Sequence, residues 1–450
     1  MFKRFTNACV RVVNRWLPDP FLFAIILTII VFIGAMIGTD QGPIPMLSAW
    51  GSDSGIWDLL AFSMQMALVL VLGSAMASAS VCKKGLGMIA QAATTKMRAI
   101  LIVTFVSTIC CWLNWGFGLI AGALLAKEIA KRAKDVDYPL LIASAYSGFV
   151  IWHAGLSGSI PLQLGSAQGT TILDVTYQVS TSETIFHPVN LAMCLLILIT
   201  MPLINYAMHP TPEHTILVDP ALLVEDAERT YTIETPAEKI EHSKILWIIT
   251  LVLAFGYIIY NFAVNGFNLS LNIVNLIFLA LGILLHGDLR KYVDAITDAA
   301  SGSAGILLQF PFYAGIMGLM VAKNPETGIS LAGIIADFFV SISNEVTFPL
   351  LTFLSAGIIN FFVPSGGGQW AVQAPIVMPA ATEMGIEYGR AAMAIAWGDQ
   401  WTNMIQPFWA LPALGIAGLS ARNIMGYLVI ITLYVGVIAC LGFLAWAYFF

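Results

Sequence analysis

The sequence predicts an all-α polytopic membrane protein, and three observations carry that prediction. The chain has 450 residues, of which 58% are hydrophobic and only 10% are charged, whereas soluble domains are about a quarter charged. Several apolar stretches reach the roughly 20 residues that a helix needs to cross a bilayer. Other, equally apolar stretches are interrupted at their centres by glycine, proline and polar residues, a pattern typical of helices that break inside the membrane.

The positions of lysine and arginine orient the predicted helices, because these residues mark cytoplasmic loops. Lys3, Arg4, Arg11 and Arg15 precede the first apolar run, which places the N-terminus in the cytoplasm. This segment lacks a small-residue cleavage site, so we expect an uncleaved first helix. The loop at residues 39–57 contains no lysine or arginine and is placed on the outside.

A re-entrant helical hairpin is predicted at residues 99–126. Basic clusters flank this apolar stretch on both sides, so both of its ends lie in the cytoplasm, yet it is too short to cross the membrane twice. The tip of the hairpin would carry Asn114, Gly116 and Gly118. These residues could contact a substrate, but glycines also let two helices pack closely, and the sequence leaves both interpretations open.

The next crossing, residues 138–165, is predicted to be a broken transmembrane helix. Its centre reads HAGLSGS, in which the glycines disfavour continuous helix. The interruption places His153, Ser157 and Ser159 at membrane depth, where free backbone groups must face protein or a water-filled cavity. His153 is a candidate to carry a proton or to donate a hydrogen bond to a carboxylate, although a lone histidine can equally be a packing residue.

One long polar segment, residues 209–244, divides the chain. It is rich in charged residues and contains four prolines, which predicts a cytoplasmic linker that serves either as a connector or as a regulatory site. The predicted organisation is therefore a first repeat at residues 1–208, this linker, one extra connecting transmembrane helix at residues 245–267, and a second repeat at residues 268–450.

Matching motifs support the two repeats. ASAYSGFVIWHAGLSGSIP, residues 143–161, and AIAWGDQWTNMIQPFWALP, residues 394–412, both begin with Ala-x-Ala-aromatic and both have proline 18 positions after the first alanine. TFVS precedes Asn114, and TFLS precedes Asn360. Because the extra helix lies between them, the repeats would have opposite orientations, an inverted arrangement common among secondary transporters.

A second re-entrant hairpin is predicted within the second repeat, at residues 348–381. Its tip, PSGGGQ, would present consecutive backbone N–H groups and two polar side chains to a carboxylate or an ion. The candidate residues of this tip are Ser365, Gly366, Gly367, Gly368 and Gln369. Glycine permits close approach of a ligand to the backbone, and we expect a bulky side chain at Gly367 to block it; a tight turn without a ligand is the alternative.

The second broken helix, residues 390–414, carries an informative acid. It is interrupted at residues 398–403, and Asp399 there has no lysine or arginine within eight residues. An unpaired acid at the membrane centre costs about 2.5–3.5 kcal/mol on insertion scales, so a role is expected. Asp399 could be protonated with substrate, help coordinate Na⁺, or pair with His153 as an ion-coupling site. The alternative to all three roles is a position at the membrane interface. Further polar groups beside it are those of Gln400, Thr402 and Asn403.

Several other classes of protein find no support in the sequence. The six cysteines show neither metal-ligand spacing nor a disulfide framework, and no phosphate-binding loop or nucleic-acid-binding stretch is present. We expect no metal, no organic cofactor and no nucleic-acid partner. A membrane-embedded enzyme using His153, Ser157 and Asp399, or a channel, is the alternative to a transporter, and the paired interruptions favour the transporter over the enzyme.

Five motifs spread over nearly the whole chain resemble those of the bacterial short-chain fatty acid transporter family. They are RWLPDPFLFAIILT (15–28), NWGFGL (114–119), DYPLLIASAYSGF (137–149), INFFVPSGGGQW (359–370) and NMIQPFWALPALGIAGL (403–419). The resemblance implies a secondary active transporter, not an enzyme. Such a protein would import short monocarboxylates such as butyrate or acetoacetate across the bacterial inner membrane, by symport with H⁺ or Na⁺.

The resemblance also implies a fold like that of the ion-transporter superfamily, with an elevator-type motion and a homodimer. The charge distribution adds a cytoplasmic N-terminus and a periplasmic C-terminus. The alternative function is a carrier of C4-dicarboxylates or other small organic anions. The four interrupted motifs contain no arginine or lysine, which favours an anion of low charge.

Overall fold

The computed structural model describes residues 2–16, 20–165, 169–172, 175–223, 231, 233–266, 271–364 and 366–449. Ser365, the last residue of the predicted extra helix and the first three residues of the predicted second repeat lie outside the described residues. The described chain is predominantly helical, as the sequence predicts.

The chain begins with five helices. They are α1 (Phe2–Trp16), α2 (Pro20–Thr39), α3 (Pro43–Gly51), α4 (Leu60–Ser78) and α5 (Ser80–Gln91). α2 is a continuous apolar span. The axes of residues 63–76 and 80–91 differ by 76°, so α4 and α5 do not form one straight span. Hydropathy does not predict α1 or α3, because neither is a long apolar stretch.

The first predicted hairpin is present as two packed, antiparallel helices, α6 (Lys96–Leu113) and α7 (Trp115–Ala130). Asn114 alone separates them, and its side-chain oxygen accepts a hydrogen bond from the N–H of Phe117 at 3.0 Å, which caps α7. A Cβ atom added to Gly118 would collide with the backbone of α6. The close approach of the two helices therefore accounts for this glycine.

The first predicted broken helix is also present. α8 (Tyr138–Ser147) continues as a 3-10 turn (Gly148–Ile151), residues 152–158 form turns without regular helix, and α9 (Ser159–Leu164) follows. The side chain of Asp137 starts α8 by accepting a hydrogen bond from the N–H of Leu140. The interruption thus falls on the segment that the glycines indicate.

A small β-hairpin between α9 and α10 (Pro188–Ala207) is an exception to the all-α prediction. β1 (Thr170–Ile172) and β2 (Val175–Tyr177) pair antiparallel, with Thr171 opposite Thr176. Three-residue strands in an apolar chain leave too short a pattern to be recognised from the sequence.

Six helices follow in the middle of the chain. They are α11 (Pro236–Glu241), α12 (Lys244–Asn265), α13 (Leu271–His286), α14 (Leu289–Ala300), α15 (Ala304–Val321) and α16 (Leu331–Ser341). α12 occupies the position of the predicted extra helix. The short apolar helix α16 lies within residues 322–347, for which no helix is predicted from the sequence.

The linker is attached to the helical bundle at both of its ends. At one end, the N–H of Ile216 donates to Oδ2 of Asp137 at 2.8 Å, at the start of α8. At the other end, Nδ1 of His242 lies 2.8 Å from Oδ2 of Asp288, between α13 and α14. The described part of the linker therefore connects the first broken helix to the α13–α14 corner.

The last five helices contain the second interruptions. They are α17 (Phe348–Asn360), α18 (Gly366–Glu383), α19 (Tyr388–Thr402), α20 (Pro407–Ala417) and α21 (Ala421–Phe449). The predicted position of the break in the second broken helix is wrong. α19 continues through Thr402, and the break falls at residues 403–406. Gly398 packs against α17 inside a continuous helix, whereas Pro407, which lacks an N–H, begins a new helix.

Helix packing follows the same scheme in both parts of the chain. α2 packs against α15, and α4 packs against α13; α5 packs against α7, and α16 packs against α18. This pattern is expected if α2, α4, α5 and α7 of the first repeat correspond, in that order, to α13, α15, α16 and α18 of the second. Each of α2 and α4 then packs against the counterpart of the other, and the pair α5–α7 matches the pair α16–α18. The inverted relation of the repeats and the domain boundaries stay predictions.

Within the described ranges, six helical stretches are long and apolar enough to cross a membrane, which makes the chain a multi-pass membrane protein. They are Phe21–Thr39, Lys96–Leu113, Pro188–Ala207, Pro236–Asn265, Leu289–Val321 and Ala421–Phe449. The second of them is α6, so its length would allow a full crossing. The re-entrant prediction for the first hairpin rests on the basic residues at its two open ends.

Candidate functional site

The side chains of His153 and Asp399 meet in the protein interior. Nδ1 of His153 lies 2.7 Å from Oδ2 of Asp399, and both side chains are fully buried. His153 belongs to the turns between α8 and α9, and Asp399 to the last turn of α19. Of the three interpretations that the sequence leaves open for Asp399, the pairing with His153 is the arrangement in the structure. The coupling role of the pair stays a prediction.

The hydrogen bonds around His153 indicate which ring nitrogen carries the proton. The backbone N–H of Ile160 donates to Nε2 at 3.1 Å, so Nε2 acts as an acceptor. Nδ1 then carries the hydrogen and donates it to Asp399. The hydroxyl of Ser159 lies 3.0 Å from Nε2. In this arrangement His153 donates through Nδ1 and accepts through Nε2.

Two amide side chains from the second broken helix hold the first interruption in place. Oε1 of Gln400 accepts hydrogen bonds from the N–H groups of His153 at 2.8 Å and Ala154 at 3.1 Å. Oδ1 of Asn403 accepts from the indole N–H of Trp152 at 2.9 Å. These bonds fix the orientation of both amides. The NH₂ groups of the same two side chains, Gln400 and Asn403, are buried and have no hydrogen-bond partner among the described residues.

Unpartnered oxygens lie in the same region. Oδ1 of Asp399, Oδ1 of Asn360 and Oε1 of Gln406 are buried and have no hydrogen-bond partner within the described part of the chain. Buried polar groups are almost always satisfied, and each one that is not costs about 1–3 kcal/mol. The donors fit an anion such as a carboxylate, and the acceptors fit a proton or a cation.

Asn360, at the end of α17, ties the second hairpin to α19. Its Nδ2 donates to the backbone oxygen of Asp399 at 2.7 Å and to the hydroxyl of Thr402 at 2.9 Å. Nε2 of Gln406 donates to the backbone oxygen of Asn360 at 2.6 Å. Asn360 is not among the site residues predicted from the sequence. The motif match that aligns it with Asn114 is the signal that could have found it.

The first hairpin contacts the broken helix through a serine. The hydroxyl of Ser157 accepts a hydrogen bond from the N–H of Trp115 at 3.0 Å. Asn114 and Gly116 are buried at the same tip. The predicted residues of the first tip and of the first broken helix are therefore brought together, with Ser157 as the connecting side chain.

The glycines of the second tip form the first turn of α18 rather than a loop. A Cβ atom added to Gly366 would lie 2.6 Å from Cε1 of His153 and would overlap the hydroxyl of Ser159. A Cβ atom added to Gly367 would have nothing within 4 Å. The tight position in the packing of this tip is therefore Gly366, and the approach of a ligand to the backbone at Gly367 stays a prediction. The reason is the helix, since successive residues point in directions about 100° apart.

Gln369 and Gly368 have separate surroundings. Nε2 of Gln369 donates to the backbone oxygen of Ala356 at 2.8 Å and to Oε1 of Gln373 at 2.9 Å, which closes the second hairpin. Gly368 lines a cavity of about 940 Å³ between α16 and α18. The walls of the cavity are mostly apolar, and charged residues such as Lys323 also line it.

An aromatic cluster packs against the imidazole. The ring of Trp152 stacks on His153 with centroids 4.1 Å apart, and Phe149 stacks on Trp152 at 5.6 Å. Trp115 and Trp409 meet edge to face at 5.3 Å beside them. These rings provide an apolar surface next to the polar groups. Trp152 is not among the predicted site residues, because no sequence feature distinguishes it from the other tryptophans, of which the chain has 12.

A multi-pass helical bundle whose interrupted segments enclose buried polar groups defines a class of protein, the membrane transporters. Among the described residues, no group of three or more His, Cys, Asp or Glu could hold a metal ion. The chain belongs to the short-chain fatty acid transporter family, whose sequence model matches residues 1–446.

Two relatives extend this family assignment over the full length. A protein of Escherichia coli K12 is 44% identical over 445 residues, which are 98% of this chain and 99% of that protein. A protein of Haemophilus influenzae is 43% identical over 452 residues, with the same coverage. Both carry the provisional name short-chain fatty acid transporter. The YdaH transporter of Alcanivorax borkumensis shares 15% identity over 96% of this chain and 97% of its own, at a TM-score of 0.42.

Proposed function

We propose that this protein is a secondary active transporter that imports short-chain monocarboxylates such as butyrate or acetoacetate, with His153 and Asp399 as the proton-coupling pair. One observation carries the proposal. The two buried NH₂ groups of Gln400 and Asn403 have no acceptor among the described residues and lie on side chains that hold the His153 segment. A substrate carboxylate would supply the missing acceptors.

Charge explains why binding would be coupled to a proton. We assign a neutral imidazole and an ionised carboxyl group to the His153–Asp399 pair, so a carboxylate bound by these amides would lie beside a single negative charge. Two like charges in a buried site repel strongly, so one of them must be neutralised. A proton on the pair removes the repulsion. Substrate and proton would then bind together, which is the definition of symport.

Sodium is the second candidate for the coupling ion. The unpartnered oxygens of Asp399, Asn360 and Gln406 are hard ligands of the kind that such cations prefer. A bound Na⁺ would neutralise the site as a proton does. We favour the proton because imidazoles are common proton carriers in proteins and the ring of His153 contacts Asp399 directly.

The surroundings of the pair favour a small monocarboxylate over a dicarboxylate. The stacked rings of Phe149 and Trp152 offer an apolar surface to a short acyl chain. Arg390 lies nine positions before Asp399 on α19, and its guanidinium contacts Glu387 at 3.1 Å. The side chain of Arg390 is buried. A C4-dicarboxylate would need a second cationic or donor group near the pair.

The remaining predicted site residues take supporting roles in this proposal. Ser159 and Gly366 contact His153, whereas Ser157, Gln369 and Thr402 hold the interrupted segments against one another. We propose no chemical step for any of them, in keeping with a transporter rather than an enzyme.

We also propose a setting for this activity. The protein would lie in the bacterial inner membrane as a homodimer, with its N-terminus in the cytoplasm and its C-terminus in the periplasm. The two halves would be inverted repeats whose hairpins and broken helices move together as an elevator. The exchanged packing partners of α2, α4, α13 and α15 support the repeats, and the charge distribution supports the orientation.

Uptake into proteoliposomes tests the proposed function. Purified full-length protein would be reconstituted, and labelled butyrate uptake measured under a pH gradient and under a Na⁺ gradient separately. We expect accumulation above equilibrium with the pH gradient, and competition by acetoacetate but not by succinate. Equilibration without accumulation under either gradient would indicate a channel, and competition by succinate alone would favour the dicarboxylate carrier.

A further inference from the structure

Nε2 of His153 has two neighbours that respond in opposite ways to protonation. The N–H of Ile160 can only donate to it, at 3.1 Å, whereas the hydroxyl of Ser159 can donate or accept, at 3.0 Å. A neutral Nε2 accommodates both neighbours. A protonated Nε2 would face the N–H of Ile160 as one donor against another, so that contact must open.

We propose that protonation of His153 at Nε2 is a conformational switch, in which the hydroxyl of Ser159 accepts the new N–H and the start of α9 moves away from the ring. This inference rests on the proposed function of the pair and deepens it. The proton adds to Nε2, while Nδ1 keeps its hydrogen and continues to donate it to Asp399. The charge of the pair changes from minus one to zero, and no other bond is made or broken.

The alternative position for the proton is Oδ1 of Asp399. A hydroxyl there would be a new donor, and Oδ1 has no hydrogen-bond partner among the described residues. At Nε2, by contrast, an acceptor is already in place in Ser159. The acceptor that is already in place favours Nε2.

The switch would reach the second hairpin through Gly366. A Cβ atom added to this glycine would lie 2.6 Å from Cε1 of His153 and would overlap the hydroxyl of Ser159, so the first turn of α18 touches both side chains. When Ser159 turns and α9 shifts, the start of α18 must adjust. Proton binding in one interrupted helix is thereby transmitted to the tip of the opposite hairpin.

No other titratable side chain is described in contact with His153. The elements around it are α9, α18, α19 and the first hairpin. Glu383 stands at the far end of α18 and Arg390 near the far end of α19, while the charged residues of the first hairpin stand toward its open ends. A pH response of the tip would therefore report on the His153–Asp399 pair.

The test uses the full chain in nanodiscs without substrate. Nitrogen-15 spectra of histidine-labelled protein, compared with those of His153→Gln, identify the His153 signals. In parallel, a Gly367→Cys reporter in a background without the six native cysteines records how fast the tip reacts with a thiol reagent. We expect the hydrogen on Nδ1 at neutral pH and protonation of Nε2 on acidification. Because a thiol itself reacts more slowly in acid, the reporter rate is compared with that of the same reporter in His153→Gln, and we expect a difference of about tenfold to develop over the same pH range.

Two serine variants make the test specific. Ser159→Ala removes the acceptor and should move the pH of both transitions down together by about one unit, the size of one hydrogen bond to a charged group. Ser144→Ala, which removes a buried hydroxyl with no described partner on α8, is the matched control and should leave both transitions in place.

Three results would overturn the switch. They are a hydrogen on Nε2 at neutral pH, an imidazole that stays neutral while the tip responds to acid, and protonation of Nε2 with an unchanged reporter rate. None of these measurements uses a carboxylate. A failure of butyrate uptake therefore leaves the switch untouched, and a failure of the switch leaves uptake coupled to another ion.

Discussion

Nδ1 of His153 lies 2.7 Å from Oδ2 of Asp399, although 246 positions separate the two residues in the chain. His153 lies in the interruption of the first broken helix, and Asp399 lies one turn before that of the second. Their contact therefore joins the two parts of the protein near both breaks. Removing one partner of such a buried pair typically costs about 3–5 kcal/mol, so the conservative variants are the informative ones.

Two neighbouring glycines should differ sharply in their tolerance of alanine. Gly366→Ala introduces a methyl group where it would overlap Ser159, so we expect butyrate uptake to fall by more than about tenfold. Gly367→Ala adds the same methyl group facing open space and should retain most of the uptake. Initial rates at matched protein levels in proteoliposomes decide this. Equal effects of both substitutions would remove the contact between α18 and His153 from the account.

The anion site should be sensitive to one isosteric change. Asn403→Asp keeps the acceptor for Trp152 but replaces the unpartnered NH₂ group with a carboxylate oxygen. We expect the KM for butyrate to rise by about 10- to 100-fold, because a hydrogen bond to a charged group is replaced by repulsion. Asn403→Ala, which removes both groups, should raise KM less. If Asn403→Asp changes only the maximal rate, the amide does not bind substrate.

The attachment of the linker should weaken in acid. Burial alone would raise the pKa of Asp288, but hydrogen bonds from His242 and from the N–H groups of Lys291 and Arg290 lower it overall from the ordinary value of 3.8. A carboxyl group with a lowered pKa stabilises the fold above its ordinary pKa, and this contribution is lost as pH falls through the lowered value. The melting temperature of wild type should therefore exceed that of Asp288→Asn at neutral pH, and the difference should shrink as the pH falls below the ordinary value of 3.8. A difference that persists in acid would contradict this.

The inverted arrangement predicts opposite access to the two hairpin tips. Phe117 and Gly367 are exposed residues close to the two tips. In a background without the native cysteines, Phe117→Cys should react with a membrane-impermeant thiol reagent from the cytoplasmic side, and Gly367→Cys from the periplasmic side. Inside-out and right-side-out vesicles distinguish the two. Labelling of both positions from one side would exclude inverted repeats.

The sequence predicts the interruptions well because their signals are local. A run of glycines and polar residues inside an apolar stretch disfavours helix wherever it occurs, and the break around His153 falls where HAGLSGS predicts it. The predicted position of the break near Asp399 is wrong because Gly398 serves close packing against α17, and packing is not visible in a local pattern. Pro407, which begins the next helix, was the better signal.

The contacts within the site are harder to predict, because they depend on how distant segments meet. Asn360 has no local feature that distinguishes it from other buried amides, yet it holds α17 to α19 with two hydrogen bonds. The tight position at Gly366 depends on the rotation of α18, which the sequence of three consecutive glycines does not specify. The pairing of His153 with Asp399 was accessible because a buried acid needs a partner and few candidates exist.

The central claim is that the His153–Asp399 pair couples ion binding to transport, and Asp399→Asn tests it most directly. The amide keeps an acceptor for the N–H of His153 but fixes the neutral state. In proteoliposomes, exchange of labelled for unlabelled butyrate should survive, because it needs only the loaded carrier to reorient. Accumulation driven by a pH gradient should be lost, because the pair is then neutral without a proton and no carboxylate charge favours proton binding at His153. Loss of both activities together, or retention of both, would contradict the account.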